Sequence, residues 1–382
     1  MNMVRVTKWV LLGILLLLLV SLAWLWPRYP YLPPEPSPWQ ALRLSEEAIL
    51  SQVAEERGYI NINGPTVMRV PDWIENPLGA YYLYFAHHKG SYIRLAYADD
   101  PAGPWTVHKP GVLPLAESGF ITDLSRVQPG SQGLRELWDT FALPVIRDYL
   151  LLAYRATVSD PAERKARRMS AAANKAVHVA SPEVFIDRQN QRLVMFYHGF
   201  NSKGSQSSRI ATSTDGLDFS PQEETIFSTY LRAFEHRGEY YLLGMPGVLY
   251  RGNSLAGPFE PRRRILFEPD MRHAGLLLEG STLYVFWSRV GDAPERIMLS
   301  QVDLGSPDWN QWQATAPVEV LRPRLSWEGA NIKVEPSLRG EMDIAAHELR
   351  DPYVFRDEDG ALYLYYVGAG EQAIGVARLS AR

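Results

Sequence analysis

Residues 181–213 read SPEVFIDRQNQRLVMFYHGF…SRIATS, and residues 351–379 read DPYVFRDEDGALYLYYVGAG…AIGVARL. Both run a short strand into a polar turn, a second strand rich in Tyr and Phe, a Gly-containing loop and a third strand. Self-similarity at this period is the mark of a repeat architecture, in which each unit is one small antiparallel meander stacked on its neighbours. Working outward from these two copies gives three more. They begin near Pro65–Val70, at 229 and at 272, so that units fall at about 62–115, 178–227, 229–267, 272–322 and 347–380.

Five units of this size predict an all-β, five-bladed β-propeller over 59–382, with an insertion at about 116–176. The last unit has only three strands. Tyr59–Asn63 is the expected fourth, which would close the ring by joining the two ends of the chain. The same turn recurs between strands as Asp99-Asp100-Pro101-Ala102-Gly103-Pro104-Trp105 and Asn253-Ser254-Leu255-Ala256-Gly257-Pro258-Phe259.

Composition narrows the function. Hydrophobic residues make up 46% of the 382, enough for a substantial core, and a net charge of −4 leaves no basic footprint for nucleic acid. The densest basic runs, Arg262–Arg264 and Arg164 to Arg168, read as solvated faces. The absence of cysteine excludes disulfides, thiolate metal sites and cysteine nucleophiles, and accords with an oxidising compartment.

The amino terminus carries its own message. Arg5 and Lys8 precede Trp9–Trp26, which has no charged residue. As a helix that run would be about 27 Å long, close to the hydrocarbon thickness of a bilayer. Tryptophans flank it, and no small-residue cleavage site follows. Residues 1–26 are therefore expected to form a cytoplasmic tip and an uncleaved single-pass transmembrane helix. The rest of the chain would face outward, into a bacterial-type periplasm or the extracellular space. Residues 27–58 form the expected linker: a Pro-rich spacer over 27–38, then a short helix from Ser45 to about Arg57.

Ser-Pro-Glu-Val-Phe-Ile-Asp at 181–187, Arg-Asp-Pro-Tyr-Val-Phe-Arg-Asp at 350–357 and the two Ala-Gly-Pro-aromatic turns resemble the five-bladed propeller glycosidase superfamily. That is the fold of arabinanases, β-xylosidases, invertases and levansucrases. The resemblance covers about 60–382 and marks this chain as a divergent member. It implies a carbohydrate substrate and hydrolysis of O-glycosyl bonds. Membrane contact is expected through the amino-terminal helix, and no cofactor is expected.

Glycoside hydrolysis ordinarily uses two carboxylates flanking the scissile bond. In a propeller the first strand of each blade lines the central channel, and stacking the repeats puts Gly64, Ser181, Tyr230, His273 and Asp351 at one equivalent position. Only Asp351 is an acid. Where the superfamily places a first-blade Asp, this chain has Asn61-Ile62-Asn63-Gly64-Pro65, so either the base comes from elsewhere or the activity has changed.

The catalytic candidates are Asp351, Glu183 and His273. Glu183 is two residues beyond Ser181, hence expected on the same face. His273 is attractive because one branch of the superfamily, acting on algal galactans, looks to use a histidine as its acid. Asn63, His178, Tyr230, Arg232, His347, Glu348 and Arg350 are the substrate-binding candidates, and Trp73 and Trp327 are candidate sugar platforms. The bland alternatives are a strand-capping role for Asp351 and a channel-wall ion pair for Glu183. No local metal motif is present, although histidines at strand starts would also suit a channel cation. A non-catalytic glycan-binding propeller and a glycoside phosphorylase are the competing functions.

Overall fold

The computed structural model describes residues 31–51, 61–88, 90–127, 177–202, 206–226, 228–262, 265–268 and 270–382, all within one compact unit. They form five four-stranded antiparallel blades. Four are built from consecutive strands that begin at Asn63–Arg69, Val179–Asp187, Thr229–His236 and Met271–Glu279, each first strand paired only with the second of its blade. The fifth contains Leu349–Arg356, Leu362–Gly368 and Ala373–Ala381.

Period-two alternation explains why these segments are strands, and burial on both faces explains their composition. Tyr81–Ala86, reading YYLYFA, is buried at every position because blades pack on both of its sides. Five apolar clusters result among the described residues, one at each junction between neighbouring blades. Between blades 1 and 2, for instance, Tyr84 and Leu95 pack with Met195 and Tyr197; between blades 5 and 1, Tyr365 and Val367 pack with Val67 and Leu83. The clusters run all the way round, so blade 5 packs on blade 1 through an apolar core as the other neighbouring pairs do.

Ring closure differs from expectation. The fourth strand of blade 5 is Trp39–Arg43, paired antiparallel with Ala377–Ala381; of the expected Tyr59–Asn63, residues 59 and 60 lie outside the described residues and Asn63 begins the first strand of blade 1. Leu50–Ser51 extends the pairing to Ile374 and Ala373. The short helix expected from Ser45 is likewise absent over 45–51, where the chain bends and returns to strand; its remainder lies outside the described residues. The reason is the exposed edge of Ala373–Ala381: its backbone donors and acceptors need partners, and satisfying them outweighs a local helical tendency.

Residues 31–38, part of the Pro-rich spacer expected over 27–38, lie along blade 4. Leu32 bridges Thr315, and the Tyr31 hydroxyl donates to Glu268 Oε2 at 3.0 Å. The apolar run Trp9–Trp26 and most of the 116–176 insertion lie outside the described residues. Among the described residues no helix is long and apolar enough to cross a membrane.

One buried ion pair locks the closing strand. Arg43 donates from Nε to Glu328 Oε1 at 2.7 Å and from Nη2 to Oε2 at 2.8 Å, and the Glu328 side chain is wholly buried. Burial resists ionisation of Glu328, but bonds from Arg43 and from the Arg324 and Leu325 amides outweigh it and hold its pKa below the usual value. Arg43→Ala would leave this carboxylate buried without its partner and should lower unfolding stability by about 3–5 kcal/mol in chemical denaturation. A depressed carboxyl contributes stability above its unfolded pKa and loses it as pH falls through the folded value, so the wild type should show an acid-side loss that the variant lacks.

Candidate active site at the channel neck

Each innermost strand slips register once against its neighbour. The slips fall between Asn63 and Thr66, Ala180 and Glu183, Thr229 and Arg232, Met271 and Ala274, and Arg350 and Tyr353. Two residues per strand are thus left outside the ladder, as in a β-bulge. The first adopts a left-handed conformation in four blades: Gly64 at φ 58°, Ser181 at 50°, Tyr230 at 55° and Asp351 at 47°. The second is proline in three of them, Pro65, Pro182 and Pro352, tolerated because no ladder bond is asked of it. Non-glycine residues in this region cost of order 1–3 kcal/mol each and concentrate at functional sites.

Blade 4 departs from the pattern. Its bulge comprises Arg272 and His273, so Arg272 takes the register position of Asp351, and His273 aligns with the prolines. The equivalence of His273 with Asp351 expected from the repeats is therefore displaced by one residue.

The bulge also explains the missing first-blade acid. A Cβ on Gly64 would come within 2.9 Å of Ser181 Cα, and the Gly64 amide donates to Asp351 Oδ2 at 2.9 Å. Glycine there lets blades 1, 2 and 5 meet at the neck.

Two layers of polar side chains follow. The inner layer comes from the residues just after the bulges: Thr66, Glu183, Arg232, Ala274 and Tyr353. Arg232 Nη1 donates to Glu183 Oε2 at 2.8 Å, Arg232 Nε donates to the Ala274 carbonyl at 2.7 Å, and the guanidinium lies 5.1 Å from the Tyr353 ring centre. Thr66 Oγ1 and the Ala233 amide donate to the two oxygens of Glu183. Burial pushes the Glu183 carboxyl up against the opposing pull of Arg232. Glu183 and Arg232 line a cavity of about 350 Å³ that opens at the opposite end of the channel, between Arg69, Arg188 and Glu358. The bulge interrupts the two-residue alternation between Ser181 and Glu183, and this is why they serve different layers.

The outer layer surrounds Tyr230. Its ring centre lies 3.8 Å from that of His273, 4.6 Å from His198 and 5.9 Å from His88, and His178 lies 5.4 Å from His198. His273 Nδ1 meets Asp351 Oδ1, and Asp351 is fully buried. Burial, together with the cations Arg272, Arg350 and Arg232, lowers His273 well below the usual histidine value, leaving it neutral at pH 7. A neutral ring that carries its proton on Nδ1, the nitrogen facing Asp351, presents Nε2 as an acceptor.

A second chain of contacts approaches the tyrosine from blade 1. His88 Nε2 meets the Tyr230 hydroxyl, and His88 Nδ1 lies 2.7 Å from Glu371 Oε2. Burial opposes ionisation of Glu371, but His88, Arg350 and a 2.6 Å bond from Asn61 Nδ2 outweigh it and hold the carboxyl at about 2. Asn63 Nδ2 donates to Asn61 Oδ1 at 2.9 Å, so both first-blade asparagines brace this carboxylate.

A buried ionic lattice supports both chains. Arg350 contacts Glu348 through Nη2, Glu371 through Nη1 at 3.0 Å and Glu295 through Nε at 3.5 Å, while Arg272 Nη1 donates to Glu295 Oε2 at 3.1 Å. Burial pushes Glu348 up despite Arg350, with Glu295 adding to the rise.

Of the sequence-selected residues, the neck gathers Asp351, His273, Tyr230, Asn63, His178, Glu348 and Arg350. Glu183 and Arg232 belong to the inner layer. His347 is elsewhere, its Nδ1 2.9 Å from the Ile332 carbonyl. Trp327 stacks on Tyr366 at 5.8 Å, and Trp73 packs against the blade 1–2 core, so both act in packing. His88, His198, Asn61, Arg272, Glu295 and Glu371 were not anticipated as site residues. His88, His198 and Glu371 lie at second-strand ends or in the turns that follow, which antiparallel topology returns to the same channel end as the first-strand starts; that topology was the available signal. Among the described residues no three His, Asp or Glu side chains are grouped to hold a metal ion.

The fold is that of the five-bladed propeller glycoside hydrolases. A structure from the GH130 family, in which mannoside phosphorylases stand beside hydrolases that target β-1,2 mannosidic linkages in Candida mannan, matches with a TM-score of 0.54 at 12% identity, over 91% of this chain and 96% of that one. A putative glycoside hydrolase from Bacteroides ovatus matches with a TM-score of 0.52 at 11% identity, over 90% and 96%. No protein-family model matches the chain. In sequence, the uncharacterized protein R118 of Acanthamoeba polyphaga mimivirus is 32% identical over 345 residues, 84% of each chain, and the present protein belongs to its family.

Gly64→Ala should test the neck. With a left-handed φ and backbone 2.9 Å from the new Cβ, the substitution should lower thermal stability by about 1–3 kcal/mol, where an ordinary strand glycine would tolerate alanine.

Proposed function

We propose that this protein is a glycoside hydrolase acting on an oligo- or polysaccharide outside the cytoplasm, anchored by its amino-terminal apolar segment. The observation that carries the reading is the Asp351–His273 pair at the neck, in a fold shared with glycoside hydrolases. Asp351 fixes the tautomer of His273 and stabilises the imidazolium formed when Nε2 takes a proton from the attacking water. His273 begins neutral, the state a base requires.

Hydrolysis is preferred to phosphorolysis on charge. Arg272 and Arg350 are already engaged by Glu295, Glu348 and Glu371, which together with Asp351 leave these buried groups with an anionic excess. That environment disfavours a phosphate dianion. The uncharged Trp9–Trp26 run with Arg5 and Lys8 before it supports the anchor, and the absence of cysteine accords with an oxidising compartment.

Release of reducing ends from a glycan panel is the expected activity, and Asp351→Asn should reduce kcat/KM by about 10²–10⁴. Undiminished turnover by that variant would remove Asp351 and His273 from the mechanism. Because the His273 pKa is lowered, the base remains unprotonated below the ordinary histidine range. The pH profile of kcat/KM should therefore hold through pH 6.5 and fall only at more acid pH.

A further inference from the structure

Tyr230 stands apart from its neighbours in one respect. His88, His198, His273, Asp351 and Glu371 are all at most 7% exposed, whereas Tyr230 retains accessible surface at the centre of the group. Its left-handed bulge conformation aims the phenol at His88, away from the Asp351 contact of His273. Behind it, His88 is held on its other nitrogen by a carboxylate that is itself fixed by Asn61 and Arg350. A carboxylate, an imidazole and a hydroxyl in series form the arrangement by which proteins move a proton at a chosen oxygen.

We infer that Tyr230 is the proton donor to the departing glycosidic oxygen, with His88 as the proton source behind it and Glu371 as the fixed counter-charge; this rests on the hydrolase reading above. In the step, the bond between the anomeric carbon and the glycosidic oxygen breaks, and that oxygen takes the Tyr230 proton. The His88 Nε2 proton passes to Tyr230 Oη in the same movement, leaving His88 neutral. Water bonds to the anomeric carbon and gives its proton to His273 Nε2. One positive charge has then passed from His88 to His273, and exchange with solvent restores the starting state.

The coupling to His88 is chemically necessary. Burial, reinforced by the Glu371 charge, pushes the Tyr230 phenol well up, so a free phenolate would be a poor product of proton donation. A tyrosine that receives a proton as it gives one avoids that state. Glu371, ionised down to about pH 2, supplies the permanent negative partner an imidazolium needs.

Leaving-group dependence provides the test. Methyl glycosides need a proton on the departing oxygen, and 2,4-dinitrophenyl glycosides do not. Tyr230→Phe, which keeps the ring stack on His273 and His198, should lower kcat on methyl glycosides by about 10²–10⁴. On dinitrophenyl glycosides the loss should stay below about 10-fold. His88→Gln should show the same selective loss, and the double variant should be no worse than the single ones, since the two residues act as one unit. Equal losses on both substrate classes, or none on either, would overturn the relay while leaving the hydrolase assignment intact. A wild-type protein inert toward both classes would overturn the hydrolase assignment itself.

Discussion

The whole site depends on one backbone device, a two-residue bulge repeated at the start of every inner strand. A regular strand would point alternate residues into the channel and into the blade. The slip instead releases two residues per blade from the ladder, and in four blades the first of them turns left-handed. Ser181, Tyr230 and Asp351 are brought to the neck in this way, and Gly64 fills the place where blades 1, 2 and 5 approach too closely for a side chain. The strain is sustained by the surrounding blades, whose apolar junctions continue round the ring.

Polar groups at such a neck are far from water and must satisfy one another. The protein pairs its buried charges in two separate networks. In the inner layer Glu183 and Arg232 complete each other's hydrogen bonding. In the outer layer Arg350 joins Glu348, Glu371 and Glu295 across elements distant in sequence. The arginine there acts as a hub that orients carboxylates, one of which, Glu371, faces His88 Nδ1. The charged lattice is buried and paired, and Tyr230 at its centre is only partly buried.

The fold was largely legible in the chain. Two meanders at 181–213 and 351–379 revealed the repeat, and the prolines after Gly64, Ser181 and Asp351 sat in strands where a regular ladder would not admit them. Asp351, His273 and Tyr230 were visible as strand-start residues. Ring closure was not, because the edge of Ala373–Ala381 accepts any extended segment that reaches it, and local preference at Ser45–Ser51 gave way to that demand.

The sequence by itself determined the number of blades, the residues that begin each inner strand and the conflict of an acid-poor first blade, because hydrophobic period and turn chemistry are local properties. Only the tertiary structure decided that Arg272, and not His273, aligns with Asp351, that Glu183 is bound to the inner layer, and that Glu371 from the last blade stands behind His88 from the first. Those relations arise from bulges that shift register by one residue and from closure of the ring, which brings residues 283 positions apart within 2.7 Å. No pattern of neighbouring residues encodes either.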